Sequence, residues 1–158
     1  MSPELNVQVV PLAEVPKNES SALDANHLPV VLIVDDEHVI ADTVAIILKK
    51  SGYAVLTAYD GKTALEIASV IPPELLITDV FMPDMDGIEL ALVLTRNIPD
   101  CKVLLFSGQA STADLLVKAH DSGNNFTLLA KPVHPSEMLR RISECFQKQD
   151  ESAIAAQI

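Results

Sequence analysis

The stretch from Val30 to Asp36 reads Val-Val-Leu-Ile-Val-Asp-Asp, five apolar residues followed at once by two acids. Short apolar runs rich in β-branched residues are typical of strands that are buried on both faces of a parallel sheet. Comparable runs recur along the chain, and longer amphipathic stretches separate them, which predicts βαβ units and an α/β fold with a doubly wound parallel sheet. The predicted strands cover residues 30–34, 54–58, 74–78, 102–106 and 126–130.

Length and composition indicate one soluble globular domain. The chain has 158 residues, of which 49% are hydrophobic, and no apolar run approaches the roughly 18 residues that a membrane helix needs. A net charge of −11 argues against direct binding to nucleic acid, whose phosphates repel an acidic surface. We expect no membrane insertion and, because no export signal is visible at the N-terminus, a cytoplasmic location.

The predicted domain covers residues 29–147, after a flexible N-terminal tail of residues 1–28 and before a short C-terminal tail or helix extension of residues 148–158. Its first helix, at about residues 37–50, has an apolar stripe that should face the sheet. This stripe consists of Ile40, Val44, Ile47 and Leu48. The last helix, at about residues 135–148, places Cys145 on its apolar face, and we expect both Cys145 and Cys101 to be reduced core thiols.

Polar residues follow four of the five predicted strands, at the edge of the sheet where ligands bind in open α/β folds. In chain order they are Asp35 and Asp36, Asp79, Ser107 and Gly108, and Lys131 and Pro132. The second strand leads only into Asp60 and Gly61, which fits an edge strand and therefore the strand order 2-1-3-4-5.

Three carboxylates that converge at one sheet edge repel each other and need a cation. At about 4 Å and an effective dielectric constant of about 20, each pair costs about 4 kcal/mol. An oxygen-only ligand set made of Asp35, Asp36 and Asp79 selects Mg²⁺ or a similar hard ion. The charge of Lys131 and the hydroxyl of Ser107 suit an anion beside the metal, and a phosphoryl group fits best. Asp79 would then accept that group as an acyl phosphate.

Each of these residues alone has a simpler interpretation. Asp36 can cap the first helix, and Ser107-Gly108 can form an ordinary turn. Only the joint placement of these residues at neighbouring strand ends favours a site. The histidines show no ligand spacing, and we interpret each as a surface or capping residue: His27, His38, His120 and His134.

Four motifs in this order resemble the receiver domain of two-component response regulators, and the resemblance covers about residues 29–147. The motifs are Val30-Val-Leu-Ile-Val-Asp-Asp-Glu37, Ile77-Thr-Asp-Val-Phe-Met-Pro-Asp-Met-Asp-Gly87, Leu105-Phe-Ser-Gly108 and Leu129-Ala-Lys-Pro132. The resemblance implies a flavodoxin-like (βα)5 fold and a phospho-acceptor switch of the stand-alone, single-domain type. It implies that a histidine kinase phosphorylates Asp79 and that Ser107 and Lys131 contact the phosphoryl oxygens. The implied ligands of Mg²⁺ are Asp35, Asp36, Asp79 and the backbone carbonyl of Phe81.

The resemblance also implies partners. The phosphoryl donor would be a histidine kinase or a histidine phosphotransfer protein, and with few residues after residue 147 the output would pass to a downstream protein that the sequence does not identify. Kinases of this family dock on the first helix and the loop after the fifth strand, which suggests contacts at Ile40, Ala41 and Pro132–Pro135. Ile46 lies away from the apolar stripe of the first helix and is a further candidate, although its position favours an ordinary surface residue. Receivers change shape through the fourth helix, fifth strand and fifth helix. A homodimer through those two helices is compatible with the resemblance, and the sequence leaves the oligomeric state open.

One position departs from the family pattern, and two others bear on how long the phosphate stays bound. A Tyr or Phe usually stands three residues before the lysine, where this chain has Leu128, and the nearby aromatic is Phe126; the sequence leaves open whether an aromatic switch operates. The family tunes attack by water at the second residue after the acceptor and after the hydroxyl residue, here Phe81 and Gln109. We predict that the bulk of Phe81 hinders this attack and prolongs the phosphorylated state.

Two other functions stay open from the sequence. A Mg²⁺-dependent phosphatase of the haloacid dehalogenase type also uses an aspartyl nucleophile after a parallel strand, but it needs a second acid two residues later, where this chain has Phe81. The other is a scaffold that uses the fold only to bind a partner, and the intact Asp, Ser and Lys set argues against it. As a receiver, the protein is not an enzyme that acts on a metabolite, and it catalyses only its own phosphorylation and dephosphorylation.

Overall fold

The computed structural model describes residues 27–108, 114, 117, 120, 123 and 126–155, with side chains as far as residue 147. Only the last two residues of the predicted N-terminal tail, His27 and Leu28, are among them. The strands are β1 (Val30–Val34), β2 (Ala54–Ala58), β3 (Leu75–Asp79), β4 (Lys102–Ser107) and β5 (Thr127–Ala130). The helices are α1 (His38–Lys50), α2 (Gly61–Val70), α3 (Gly87–Asn97) and α4 (Pro135–Ala155).

The five strands form one parallel sheet in the order β2-β1-β3-β4-β5. The predicted α/β fold and the predicted strand order are therefore confirmed. The three inner strands are almost wholly buried, whereas most residues of β2 and β5, at the edges, are only partly buried. Burial on both faces explains why the inner strands are apolar at nearly every position.

Alternate residues of the inner strands point to opposite faces of the sheet and supply two hydrophobic clusters. The cluster that α2 and α3 cover includes Leu32, Leu76 and Leu105. The cluster that α1 and α4 cover includes Ile33, Ile77 and Leu104. Each cluster also holds one of the two cysteines as a buried thiol, as predicted, and burial raises the pKa of Cys101 to about 12.

The predicted apolar stripe of α1 is confirmed in part, because Leu48 is buried and both Val44 and Ile47 pack against the cluster on this face of the sheet. The stripe did not include the small residues through which the helix also packs. The buried residues of the helix are Ala41, Ala45 and Leu48. The larger side chains of Ile40, Val44 and Ile47 are only partly buried, and they line a groove that Met138 of α4 also lines. Alanines let the helix approach the sheet closely, so the bulkier residues lie beside this contact. Because Ala41 is 0% exposed, its predicted contact with a partner is wrong.

The last described element is a long helix that follows β5. Helix α4 begins at Pro135, as predicted, and continues to Ala155. The predicted helix between β4 and β5 falls mostly on residues that the structure does not describe, and so does much of the surface expected for dimers and for the conformational change. In the described part of the chain, no helix combines the length and the apolarity that crossing a bilayer requires.

Candidate functional site

Three carboxylates meet at the carboxyl end of the sheet. Asp35 directly follows β1, Asp79 is the last residue of β3, and these two strands are neighbours in the sheet. Together with Asp36 they form a group in which one carboxylate oxygen of each residue lies within 4.8 Å of the other two. Asp35 is buried, Asp79 is partly buried and Asp36 is exposed, so the acidic group is open to solvent on one side.

Lys131 brings a positive charge to the acidic group. Its Nζ lies 3.3 Å from Oδ2 of Asp35 and 3.4 Å from Oδ1 of Asp79. Because β4 separates β5 from β3, the long lysine side chain spans the end of β4 to make these contacts. Among the described side chains, the three carboxylates and the one ammonium group have a net charge of −3 + 1 = −2 when all are ionised.

The pKa values of Asp79 and Lys131 reflect this crowding of charges. Burial is the main cause that raises the pKa of Asp79, the negative charge of Asp35 adds to it, and Lys131 opposes it. Burial alone would lower the pKa of Lys131, but the carboxylates of Asp35 and Asp79 outweigh burial and raise it. Lys131 therefore stays protonated, while the ionised form of Asp79 carries a penalty that a further cation would relieve.

The pairing of β4 with β5 places Ser107 beside Lys131. Ser107 is the last residue of β4 and is buried, and its carbonyl oxygen accepts a 2.9 Å hydrogen bond from the backbone N–H of Lys131. The peptide bond between Lys131 and Pro132 is cis. The structure thus brings together at one sheet edge the predicted site residues Asp35, Asp36, Asp79, Ser107 and Lys131.

Phe81, whose backbone carbonyl is the remaining predicted ligand, is the second residue after Asp79. Its side chain is partly buried and packs against the cluster under α2 and α3. Leu128, at the position where the family usually has an aromatic residue, packs against the same cluster, and so does Phe126. Gln109, the other predicted modulator of hydrolysis, lies outside the described residues.

Two residues that support Asp79 were not predicted from the sequence. Thr78 is fully buried, and its hydroxyl donates a 3.0 Å hydrogen bond to the backbone carbonyl oxygen of Asp79. Gly87 donates its N–H to the carbonyl oxygen of Val80 at 2.8 Å, and it lies so close to β3 that a Cβ atom there would collide with the carbonyl oxygen of Asp79. The loop after Asp79 therefore folds back onto the end of β3, and only a glycine fits at the start of α3.

We expect Gly87→Ala to lower the free energy of unfolding by about 3 kcal/mol, because the colliding atoms belong to the backbone and cannot move aside cheaply. Urea denaturation followed by circular dichroism measures this loss. Gly108→Ala is the matched control, since a Cβ atom there meets only Cβ of Lys131, at an ordinary 3.7 Å. Equal stability of the two variants would contradict the expected collision.

Two other loop acids cap helices. Oδ1 of Asp60 accepts a 2.7 Å hydrogen bond from the N–H of Thr63, and Oδ1 of Asp86 accepts a 2.8 Å hydrogen bond from the N–H of Glu89. Helix α1 differs, because its N-cap residue is Glu37, which makes no side-chain cap bond. The interpretation of Asp36 as a helix cap is therefore wrong, and Asp36 lies in the acidic group instead.

Comparison with known proteins relates this site to a family. The response regulator receiver domain family matches residues 31–143. The response regulator receiver protein CpdR of Brucella abortus is 33% identical over 114 residues, which cover 72% of this chain and 93% of CpdR. The sensor kinase CckA of the same species is 32% identical over 142 residues, which cover 89% of this chain but only 15% of CckA. The chain spans about half the length of several other curated relatives.

Solved structures agree with this relationship. The CheY-like response regulator receiver domain protein of Methanospirillum hungatei JF-1 has a TM-score of 0.73 and 30% sequence identity, and the match covers 80% of this chain and 99% of that one. The polar strand ends, the strand order and the matched sequence all agree with this likeness. The chain therefore belongs to the response regulator receiver domain family.

Proposed function

We propose that the protein is a phospho-acceptor signalling switch of a two-component system or phosphorelay, with Asp79 as the acceptor. One observation carries this proposal: Nζ of Lys131 lies 3.3 Å from a carboxylate oxygen of Asp35 and 3.4 Å from one of Asp79, in an acidic group that is open to solvent on one side. A nucleophilic carboxylate, a fixed positive charge and further acids at one sheet edge suit phosphoryl transfer, in which catalysis consists mainly of positioning and charge stabilisation.

The ligand set of the acidic group fits Mg²⁺. Its donors are carboxylate oxygens, the hard ligands that Mg²⁺ prefers. Burial, with a smaller contribution from the negative charges of Asp35 and Asp36, raises the pKa of Asp79 despite Lys131, so a cation beside Asp79 would stabilise its ionised form. Asp35, Asp36 and Asp79 would hold the ion together with the backbone carbonyl of Phe81. When bound, Mg²⁺ neutralises charge on the phosphoryl oxygens.

Three residues of the site would each have a separate role in the phosphoryl transfer. A carboxylate oxygen of Asp79 attacks the phosphorus atom of a phosphohistidine; the new O–P bond forms, the N–P bond breaks, and the donor imidazole keeps the electron pair and takes up a proton from solvent. Nζ of Lys131 contacts one phosphoryl oxygen, and the hydroxyl of Ser107 donates a hydrogen bond to another. In this scheme the protein turns over no metabolite.

The proposed donor is a histidine kinase or a histidine phosphotransfer protein, and the similarity to part of the sensor kinase CckA supports it. A mostly apolar groove of about 520 Å³ lies between α1 and the segment that follows β5, and its lining includes Ile40, Lys131, Pro132 and Val133. Because Lys131 belongs to both the groove and the acidic group, a partner bound in the groove lies next to Asp79. Output would then pass to a downstream protein.

Intact-protein mass spectrometry of the wild type tests the proposed function. With acetyl phosphate and Mg²⁺ we expect a single added mass of about 80 Da, which removal of Mg²⁺ with a chelator abolishes. Borohydride reduction of the adduct and peptide mapping should place it at Asp79. Release of phosphate without an adduct would favour the phosphatase, and no labelling by acetyl phosphate or by a receiver-directed kinase would favour the scaffold.

We expect the phosphorylated protein to keep its phosphate for minutes or longer and Phe81→Ala to shorten that lifetime, because we predict that a bulky side chain two residues after the acceptor hinders attack by water. Loss of the adduct with time, followed by intact mass, gives both lifetimes. Met82→Ala is the matched control, since Met82 is the next residue and packs against the same cluster. A wild-type half-life of seconds, or equal decay in the two variants, would speak against this role of Phe81.

A further inference from the structure

The first turn of α1 lacks the side-chain cap that the two following helices have. Asp60 caps α2 and Asp86 caps α3, whereas Glu37, the N-cap residue of α1, makes no such bond, and the first turn of α1 contains no acidic residue. A helix start without a cap depends on other contacts for its geometry. This start matters for the site, because the loop of residues 35–37 that leads into it carries two of the three carboxylates.

Tyr59 contacts this first turn from the end of β2. Its ring stacks on the ring of His38, with the ring centres 3.7 Å apart and the planes inclined by 13°. Its hydroxyl donates a 2.7 Å hydrogen bond to Oδ1 of Asp42. His38 and Asp42 are four residues apart and therefore lie on the same face of α1, one turn apart. The hydrogen bond to Asp42 is the main cause that raises the pKa of Tyr59, so the hydroxyl stays protonated and keeps donating.

The end of β2 also contacts the first residue of the 35–37 loop. The carbonyl oxygen of Ala58, the last residue of β2, accepts a 3.3 Å hydrogen bond from the N–H of Asp35. Tyr59 directly follows Ala58, so two adjacent residues contact the first residue of the 35–37 loop and the start of the helix that follows the loop. When no cation is bound, repulsion among the three carboxylates pushes this loop away from Asp79, and the contacts at the end of β2 resist that movement.

We propose that Tyr59, through His38 and Asp42, is a positioning residue for the divalent cation: it holds the 35–37 loop so that Asp35 and Asp36 stay near Asp79. The inference rests on the proposed Mg²⁺ site and deepens it, because the affinity for the ion then depends on a side chain outside the group of ligands. Ligands that are held in place before the ion arrives bind it more tightly, as is usual for residues that orient metal ligands.

Isothermal titration of Mg²⁺ into the unphosphorylated protein tests this inference independently of phosphorylation. We expect Tyr59→Ala and His38→Ala to weaken Mg²⁺ binding about fivefold to tenfold, at or below the lower end of the range for residues that orient metal ligands. Tyr59→Phe keeps the stack and loses only the hydrogen bond, so its affinity should lie between those of Tyr59→Ala and the wild type. His38→Phe restores a stacking partner and should bind Mg²⁺ nearly as the wild type does.

Tyr53→Phe is the matched control, because Tyr53 is the chain's other tyrosine, precedes β2 at its opposite end and stacks on Phe146. It should bind Mg²⁺ with wild-type affinity. Proton NMR gives a second measurement: the ring protons of His38 should lie upfield in the wild type, shift as Mg²⁺ saturates the site, and lose the upfield shift in Tyr59→Ala. Because His38 is exposed, His38→Ala should fold even if Tyr59→Ala does not.

The outcomes separate this inference from the function on which it rests. Wild-type Mg²⁺ affinity in the folded His38→Ala and Tyr59→Ala proteins would overturn the role of Tyr59 and leave the Mg²⁺ site standing. Equal weakening in Tyr53→Phe would also overturn it, because the effect would then not be specific to the 35–37 loop. Absence of Mg²⁺ binding in the wild type would overturn the proposed function itself.

Discussion

The Asp79→Asn protein should gain no phosphate from acetyl phosphate and Mg²⁺ under conditions that label the wild type. An amide is a poor nucleophile and cannot form the acyl phosphate. The substitution should also weaken Mg²⁺ binding, because the net charge of the acidic group with Lys131 changes from −2 to −2 + 1 = −1. Intact mass measures the first effect, and calorimetric titration with Mg²⁺ measures the second.

The same variant should be at least as stable as the wild type at pH 7. Burial raises the pKa of Asp79, so the folded state favours the protonated carboxyl group over the ionised one. The carboxyl group of Asp79 therefore contributes to the stability of the folded protein at pH values below its unfolded-state pKa. This contribution is lost as the pH rises through the raised folded-state pKa. At pH 7 the wild type therefore carries a penalty that the neutral asparagine avoids. Urea denaturation at pH 7 should show no loss in the free energy of unfolding.

Asp84→Asn is the matched control for the labelling measurement. It removes the same charge from an exposed loop residue, and asparagine tolerates the positive φ of 67° at this position, as aspartate does. This variant should take up phosphate as the wild type does. Labelling of Asp79→Asn, or loss of labelling in Asp84→Asn, would contradict the assignment of Asp79 as the acceptor.

Lys131→Met should lose phosphorylation and gain affinity for Mg²⁺. The rate of phosphorylation should fall about 10²-fold to 10³-fold, as when one group that stabilises the charge of a transition state is removed. Mg²⁺ should bind more tightly, because Nζ of Lys131 contacts oxygens of Asp35 and Asp79 and competes with the ion for them. Methionine retains an apolar stem that can pack as the lysine stem does. Time courses of labelling and calorimetric titration measure the two effects.

Because the two effects have opposite signs, they distinguish a role in phosphoryl transfer from general damage to the site. A distorted site would both slow phosphorylation and weaken Mg²⁺ binding. Lys102→Met is the control, because Lys102 begins β4 and so lies at the opposite end of the sheet from Ser107. It should match the wild type in both measurements. Weaker Mg²⁺ binding in Lys131→Met would disprove the competition, and a wild-type rate would disprove its proposed contact with the phosphoryl group.

The amino-acid sequence alone was sufficient to predict the sheet and the meeting of its polar residues. Apolar runs such as Val30–Val34 need burial on both faces, which the alternation with helices provides only in a parallel sheet. In such a sheet all strands end at the same edge, so residues as far apart in the chain as Asp35 and Lys131 converge there. Their chemistry could then be predicted because it depends on residue type and on strand position, and both can be read along the chain.

Only the tertiary structure decided which residues of each helix pack against the sheet and which lie beside that contact. The apolar period of α1 was visible and included the buried Leu48, yet it missed the buried Ala41 and Ala45 and included Ile40, which lines the groove. The collision that requires Gly87, and the contacts of Tyr59 with α1, likewise had no signal in the periodicity. The physical reason is that such contacts depend on how closely a helix approaches the sheet and how it is rotated about its axis. Close packing of all the side chains together sets both quantities, and no local stretch of sequence does.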